Sequence, residues 1–135
     1  MLDLAKNDPS KQAEAGYTFN VVLPDGSQSD AKITVRGVNS PIVKNYIRRV
    51  YQEFKVKEQQ AKRRGREVED PTPEEAEQFA AESAAIRIIG WEGIGEEGKE
   101  IKFSKEEAER ILKAYPFLRD QVMEASDNIF NFSKS

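Results

Sequence analysis

The sequence predicts an α+β fold, with an N-terminal antiparallel β-hairpin followed by a mainly α-helical body of about four helices. Apolar and polar residues alternate over residues 17–23 and over residues 31–36, and the turn-forming letters Pro-Asp-Gly follow the first run. Over residues 42–54, apolar residues return every three or four positions, the spacing of one side of a helix. Serine or threonine caps then open two further helical segments.

The predicted hairpin spans residues 17–36. One face of each strand is apolar, and the residues on these faces are Tyr17, Phe19, Val21, Leu23, Ala31, Ile33 and Val35. An antiparallel pair with this pattern buries one face and leaves the other in solvent. Residues 1–16 show no sustained period, so we predict a flexible leader that holds only a short helical turn near residues 11–15.

Four helices are predicted at about residues 41–64, 73–87, 105–115 and 116–128. Three starts combine a serine or threonine cap, at Ser40, Thr72 and Ser104, with a proline at the first position or a glutamate three residues after the cap. The fourth begins at Pro116. The elements together form one predicted domain over residues 17–132, with residues 133–135 as a tail.

The first predicted helix carries the widest apolar stripe of the chain, made of Ile42, Val43, Tyr46, Ile47, Val50, Tyr51 and Phe54. By this periodicity, both tyrosines belong to the core. Beyond Phe54 the stripe fades into a polar, basic segment, and the helix is predicted to break near Gly65.

The amino-acid composition excludes several common kinds of catalytic and metal-binding site. The chain has no cysteine and no histidine, which removes thiolate nucleophiles, the commonest general base and the commonest zinc ligands. Paired glutamates in the first turns of helices are explained by the helix dipole. We therefore predict no enzyme activity, no catalytic residue, no metal site and no cofactor. No run approaches the about 18 apolar residues of a membrane span, so no membrane partner is expected and the predicted location is cytoplasmic.

Charge reverses sign in the middle of the chain. Residues 55–66 hold six basic residues against Glu58, whereas residues 67–82 hold seven acidic residues and no basic one. The basic run, with Tyr46 or Tyr51 as stacking groups, suggests a small nucleic-acid-binding or regulatory factor as an alternative function. The adjacent acidic run opposes long-range attraction to nucleic acid, so nucleic acid is not the expected partner.

The letters GIGEEG at residues 93–98 match the glycine pattern of dinucleotide-binding loops. That pattern binds phosphate only where a buried strand enters it and a helix begins from it, and neither flank has this character. We therefore predict that the glycines supply positive φ angles at successive turns. The neighbouring Trp91 either fills the domain's own core beneath a loop or anchors a partner.

Four segments carry a resemblance to a known family. They are RIIGWEGI at residues 87–94, the capped F-S-x-E-x-A-x-x-I-L helix from Phe103, the Y-P-F-L-R-D-Q-V stretch from Tyr115 and the aromatic N-I-F-N-F end. With the alternating strand, the Pro-Asp-Gly turn and the second strand ending in V-R-G, they resemble the tail assembly chaperones of long-tailed, siphovirus-type bacteriophages. The resemblance covers residues 17–132.

The resemblance implies a non-enzymatic protein of the host cell cytoplasm that acts during tail morphogenesis. Such chaperones coat the tape-measure protein, help to recruit tail-tube protein and are absent from the mature virion. It also implies a homo-oligomer and a second, longer form made by a translational frameshift. The family has no universal catalytic or metal-binding residues to transfer. We predict that partner contacts lie on apolar residues that the monomer leaves exposed, namely Tyr46, Val50, Tyr51, Phe54, Trp91, Phe130 and Phe132.

Overall fold

Three antiparallel strands with five surrounding α-helices make up most of the chain in this computed structural model, which describes residues 1–133. The helices are α1 Pro9–Ala15, α2 Pro41–Arg63, α3 Pro73–Ala85, α4 Lys105–Ala114 and α5 Pro116–Asp127, and a 3₁₀ helix follows at Ile129–Phe132. The strands are β1 Tyr17–Val22, β2 Gln28–Val35, β3 Ile88–Glu92, β4 Gly95–Glu96 and β5 Lys99–Glu100. The sheet has the order β1-β2-β3, and β4 with β5 forms a separate two-stranded hairpin.

The predicted architecture, a hairpin followed by a body of about four helices, is wrong, although the class remains α+β and the N-terminal hairpin is present. A helix, α1, precedes the hairpin, and the chain returns to the sheet as β3 after α3. The segment of β3 is short and contains Gly90, which argues against a central parallel strand. Strand β3 lies at the edge of the sheet and pairs only with β2, and an antiparallel edge strand tolerates both short length and a glycine. Gly90 pairs there with Thr34.

The core lies between one face of the sheet and helices α3, α4 and α5. On the sheet, Phe19 pairs with Ile33 and Ile33 pairs with Trp91, so the three side chains share a face. The helices contribute their alanines and aliphatic residues, namely Ala81, Ala84, Ala85, Ala108, Ile111, Leu112, Leu118, Val122 and Ala125. Because four of these alanines lie on α3 and α4, the two helices can approach each other closely.

The helix starts follow the predicted caps at two of three positions. The hydroxyl oxygens of Thr72 and Ser104 accept hydrogen bonds from the backbone N–H groups of Glu75 and Glu107, each at 3.1 Å. Ser40 is different, because its hydroxyl makes no bond to α2 and donates instead to the carboxylate of Glu14 on α1. The fully buried Ser40 thus ties the N-terminal helix to the start of α2.

Two side chains of the C-terminal half complete the packing. The amide of Gln121 on α5 brackets β1: its oxygen accepts from Val22 N–H and its nitrogen donates to the Val22 carbonyl, both at 2.8 Å. Buried Arg87, at the start of β3, donates to Ser126 and to the carboxylate of Asp127 at the end of α5. These contacts fix α5 against both outer strands of the sheet.

Candidate partner-binding surfaces

Helix α2 leaves most of its apolar stripe in solvent. Val43 is its only buried residue, whereas Ile47 is 47% exposed, Tyr51 59% and Phe54 47%. We call the stripe from Ile42 to Phe54 the α2 face. A hydrophobic face this continuous on a 23-residue helix is a feature of interaction sites rather than of solvated helices. The expectation that periodicity places Tyr51 in the core is therefore wrong.

A small cavity lies at the base of the α2 face, where α2 approaches α3. Its volume is about 90 Å³, and its lining includes Ile47 and Val50 of α2, Phe79 and Ser83 of α3, and Arg87 beneath them. The hydroxyl groups of Tyr46 and Ser83 are 3.4 Å apart across it. Phe79 is itself 48% exposed, so α3 extends the apolar surface sideways from α2.

The C-terminal half of α2 is basic as well as apolar. Lys55 pairs with Glu58 at 3.7 Å, and its ammonium group lies 5.4 Å from the centre of the Tyr51 ring. The helix ends at Arg63 with backbone bonds from Gly65 N–H to the Lys62 carbonyl and from Arg66 N–H to the Ala61 carbonyl. This is a Schellman ending, and the φ of +67° at Gly65 meets its requirement for a left-handed residue.

The letters GIGEEG, residues 93–98, form the turn before β4, strand β4 itself and the turn that leads into β5. Gly93 and Gly98 have φ angles of +74° and +80°, which confirms the predicted positive φ at these two turns, whereas Gly95 lies in β4 without a positive φ. Glu97 also has a positive φ, of +50°, which is unusual for a residue with a side chain. This structure excludes a dinucleotide-binding loop at residues 93–98, because β4 pairs with β5 and no helix begins at the last glycine.

A groove of about 460 Å³ lies between this hairpin and the far end of the β1–β2 hairpin. Its lining is mainly apolar and includes Val21, Leu23, Ile94, Ile111 and Phe117. Glu96 and Glu97 also line it, and because Glu96 is half-buried and Glu97 exposed, their carboxylates lie toward its open edge. We call this the acidic-rimmed groove.

Glu96 is held in place by two donors. The Tyr115 hydroxyl donates to it at 2.6 Å and the Arg110 guanidinium at 2.9 Å. The Tyr115 bond, followed by the Arg110 bond, lowers the pKa of the Glu96 carboxyl below its ordinary value. The same bond raises the pKa of the Tyr115 hydroxyl, because the negative carboxylate disfavours a phenolate beside it. The β4–β5 hairpin is thereby fastened to α4 and to the α4–α5 junction.

The pH dependence of stability should report this contact. Because the pKa of Glu96 is lowered by folding, its stabilising effect is present above its ordinary pKa and is lost as pH falls through the lower folded value. We expect the urea midpoint of wild type to be higher than that of Glu96→Gln near pH 7, and we expect this difference to shrink below about pH 4. Glu124→Gln, which removes an exposed carboxylate on α5, is the control. A difference in urea midpoint between wild type and Glu96→Gln that stays constant with pH would contradict the expectation.

One family model, described as YdaY prophage protein, matches residues 38–135, which is well over half of the chain. The chain belongs to the YdaY prophage protein family. The match covers α2 and every element after it, so it includes the α2 face and the part of the acidic-rimmed groove that residues 93–118 form, but not the groove wall from the β1–β2 hairpin. The comparisons with curated proteins and with solved structures gave no match.

Membership of the YdaY family confirms the predicted phage origin and does not by itself specify a role in tail assembly. The protein is thus phage-derived, as the resemblance in its C-terminal segments implied.

The structure places the predicted contact residues of this YdaY-family protein in three environments. Tyr51, Phe54 and Phe130 are exposed, Phe130 at 80%. Tyr46 and Val50 are half-buried around the α2–α3 cavity. Trp91 is half-buried and Phe132 is buried, and both pack against the domain's own core.

Trp91 and Phe132 therefore have packing roles in the monomer. The Trp91 indole donates to the Ile101 carbonyl at 2.8 Å, and its ring meets Phe103 edge-on with centres 5.1 Å apart. Phe132 meets Tyr17 edge-on at 6.1 Å and lies against Gly37, where an added Cβ would come within 3.0 Å of its ring. Of the two interpretations offered for Trp91, packing beneath a loop describes what this side chain does here.

Other site types find no support within the described part of the chain. Among residues 1–133, no group of three or more Asp, Glu, His or Cys side chains is arranged to hold a metal ion. No helix in that range is both long and apolar enough to cross a bilayer. The predictions missed Gln121 and the acidic-rimmed groove, since each depends on segments about 70–100 residues apart meeting in space.

Proposed function

We propose that the protein is a tail assembly chaperone that holds a helical segment of the tape-measure protein on its α2 face. The observation that carries the proposal is the exposure of four apolar side chains of the α2 face, namely Ile42, Ile47, Tyr51 and Phe54. An amphipathic helix bound to such a stripe buries its own apolar side while the chaperone presents charged residues to solvent. This would keep a long apolar client soluble.

Three further features support this function. The chain belongs to a prophage family, and its C-terminal segments resemble tail assembly chaperones. The α2–α3 cavity offers a place for one apolar side chain of the client, as pockets at the centre of interfaces often do. Recruiting tail-tube protein and leaving the finished particle belong to the same proposal, as does the absence of enzyme activity.

Binding to a tape-measure fragment from the same prophage tests the proposal. Tyr51→Ala and Phe54→Ala should each weaken binding by about 10- to 30-fold, because large aromatic contacts dominate such interfaces. Gln52→Ala, on the opposite side of α2, is the matched control and should bind as wild type does. All three side chains are exposed, so circular dichroism and urea midpoints should stay near the wild-type values.

Fluorescence anisotropy with the labelled fragment gives the dissociation constants. Equal binding by Tyr51→Ala, Phe54→Ala and wild type would remove the α2 face from the proposal. A wild-type protein that does not bind any segment of the tape-measure protein would reject the chaperone function itself.

The alternative, a nucleic-acid-binding or regulatory factor, is favoured by one observation: residues 55–63 continue α2 as an exposed basic helix. Reversing the charges of Lys62 and Arg63 should then weaken binding to DNA or RNA and reduce its dependence on salt. If these variants and wild type show the same weak binding, the alternative is rejected. The tape-measure assay is independent of that result.

A further inference from the structure

We propose that the C-terminal half of α2 from one copy of the chain docks into the acidic-rimmed groove of a second copy. Each surface is incomplete in the monomer, because Tyr51 and Phe54 are exposed on the helix while the groove has no side chain of its own chain filling it. The inference does not depend on the tape-measure client, since both surfaces belong to this protein.

The apolar parts of the two surfaces match in character. Tyr51 and Phe54 lie three residues apart on the same side of α2, so their rings project together from one helix face. The groove offers the exposed side chain of Leu23 and the half-buried ring of Phe117. Docking would cover both sets of side chains and remove their apolar surface from water.

The charges of the two surfaces are opposite. The helix half carries Lys55, Lys57 and Lys62 beside its apolar residues, and residues 55–66 hold six basic residues against Glu58. Glu96 and Glu97 both line the groove; Glu96 is already paired with Arg110, whereas within the described chain the Glu97 carboxylate has no hydrogen-bond or ion-pair partner. Opposed charges at the edge of an apolar contact set its orientation and speed its formation.

Such a contact is head-to-tail. The helix of each copy enters the groove of the next copy, so an open chain of copies keeps one free helix at one end and one free groove at the other. Head-to-tail contacts grow into rings or open chains instead of stopping at a two-fold dimer. About four turns of one helix bury less than the about 800 Å² per partner of stable complexes, so we expect micromolar, concentration-dependent association.

Sedimentation and light scattering of the purified full chain test the proposal with one variant on each surface. Phe54→Ser removes the helix contact, and Glu97→Lys reverses the charge of the rim. Each variant should self-associate at least about 10-fold more weakly than wild type. Gln52→Ala on the opposite side of α2 and Glu124→Lys on α5 are the controls, and both should associate as wild type does.

Mixing the two weakened variants gives the decisive result. Phe54→Ser still has an intact groove and Glu97→Lys still has an intact helix, so an equimolar mixture should form a one-to-one complex and stop there. A wild-type chain that stays monomeric at millimolar concentration would overturn the proposal. Wild-type-like association by Glu97→Lys, or a mixture that recovers no complex, would also overturn it. Tyr51→Ser replaces Phe54→Ser if the latter does not fold.

Competition with the client adds a test that does rest on the proposed function. Because the α2 face would serve both contacts, saturating tape-measure fragment should dissociate the chains into single client-bound copies. Chains that persist with client bound would show that the two contacts use different surfaces. The mixing experiment stands whether or not a client is found.

Discussion

Replacing Trp91 with alanine is expected to lower the free energy of unfolding by about 3 kcal/mol, near the lower end of the range for large core aromatics. The change removes the bond from the indole to the Ile101 carbonyl, the edge-on contact with Phe103 and the packing against Ile33 of β2. In a protein of this size it corresponds to a fall in Tm of about 10 °C. Urea unfolding followed by circular dichroism provides the measurement.

Trp91→Phe separates the contribution of ring packing from the contribution of the indole hydrogen bond. It retains a ring in the core and loses the indole donor, so it should cost about 1 kcal/mol. Equal stability of Trp91→Ala and wild type would contradict the packing role assigned to the indole. The expected loss also means that Trp91→Ala is a poor test of partner binding, because weaker binding by this variant would reflect a damaged fold.

Replacing Asp127 with alanine is the second large expected change. It leaves the guanidinium of Arg87, which is 6% exposed, without its anionic partner. Removing one member of a buried pair costs about 3–5 kcal/mol, and we expect about 2 kcal/mol here because the Asp127 side chain is half exposed and water can replace it. Asp120→Ala, an exposed aspartate on α5, should stay close to wild type.

The double variant Arg87→Met with Asp127→Ala should be more stable than Asp127→Ala alone. Methionine fills much of the space of the arginine stem and carries no charge, so nothing is left buried and unpaired. A complete double-mutant cycle in urea measures the coupling between the two positions. Additive losses would indicate that the ion pair contributes nothing and that Arg87 acts through its packing alone.

Local sequence signals predicted the local structure well. The caps at Thr72 and Ser104 are present, and the alternation over residues 17–23 forms a strand of the N-terminal hairpin. These features depend on a few neighbouring residues, whose hydrogen-bonding and φ preferences act at short range. The same short range explains the wrong architecture, because the return of β3 to the sheet depends on pairing with β2 about 55 residues earlier.

The candidate surfaces were only partly predictable. Periodicity identified the α2 stripe as apolar, and it cannot say whether another element covers that stripe. The residues assigned to partner contacts accordingly divide into the exposed Tyr51, Phe54 and Phe130 and the core residues Trp91 and Phe132. No sequence motif marks Gln121 as the side chain that brackets Val22, since a glutamine on a helix is usually a solvated residue.

The sequence by itself determined the class of the fold, most helix starts, the hairpin turn, the reversal of charge between residues 55–66 and 67–82, and a phage origin. Tertiary structure alone decided that Ser40 binds Glu14, that GIGEEG forms a hairpin on the rim of a groove, and that α2 stays largely uncovered. This division follows from the sequence separation between the residues that decide each feature. Caps, turns and periodic faces are set by residues within a few positions of each other, whereas exposure depends on which distant segments occupy the space beside a face.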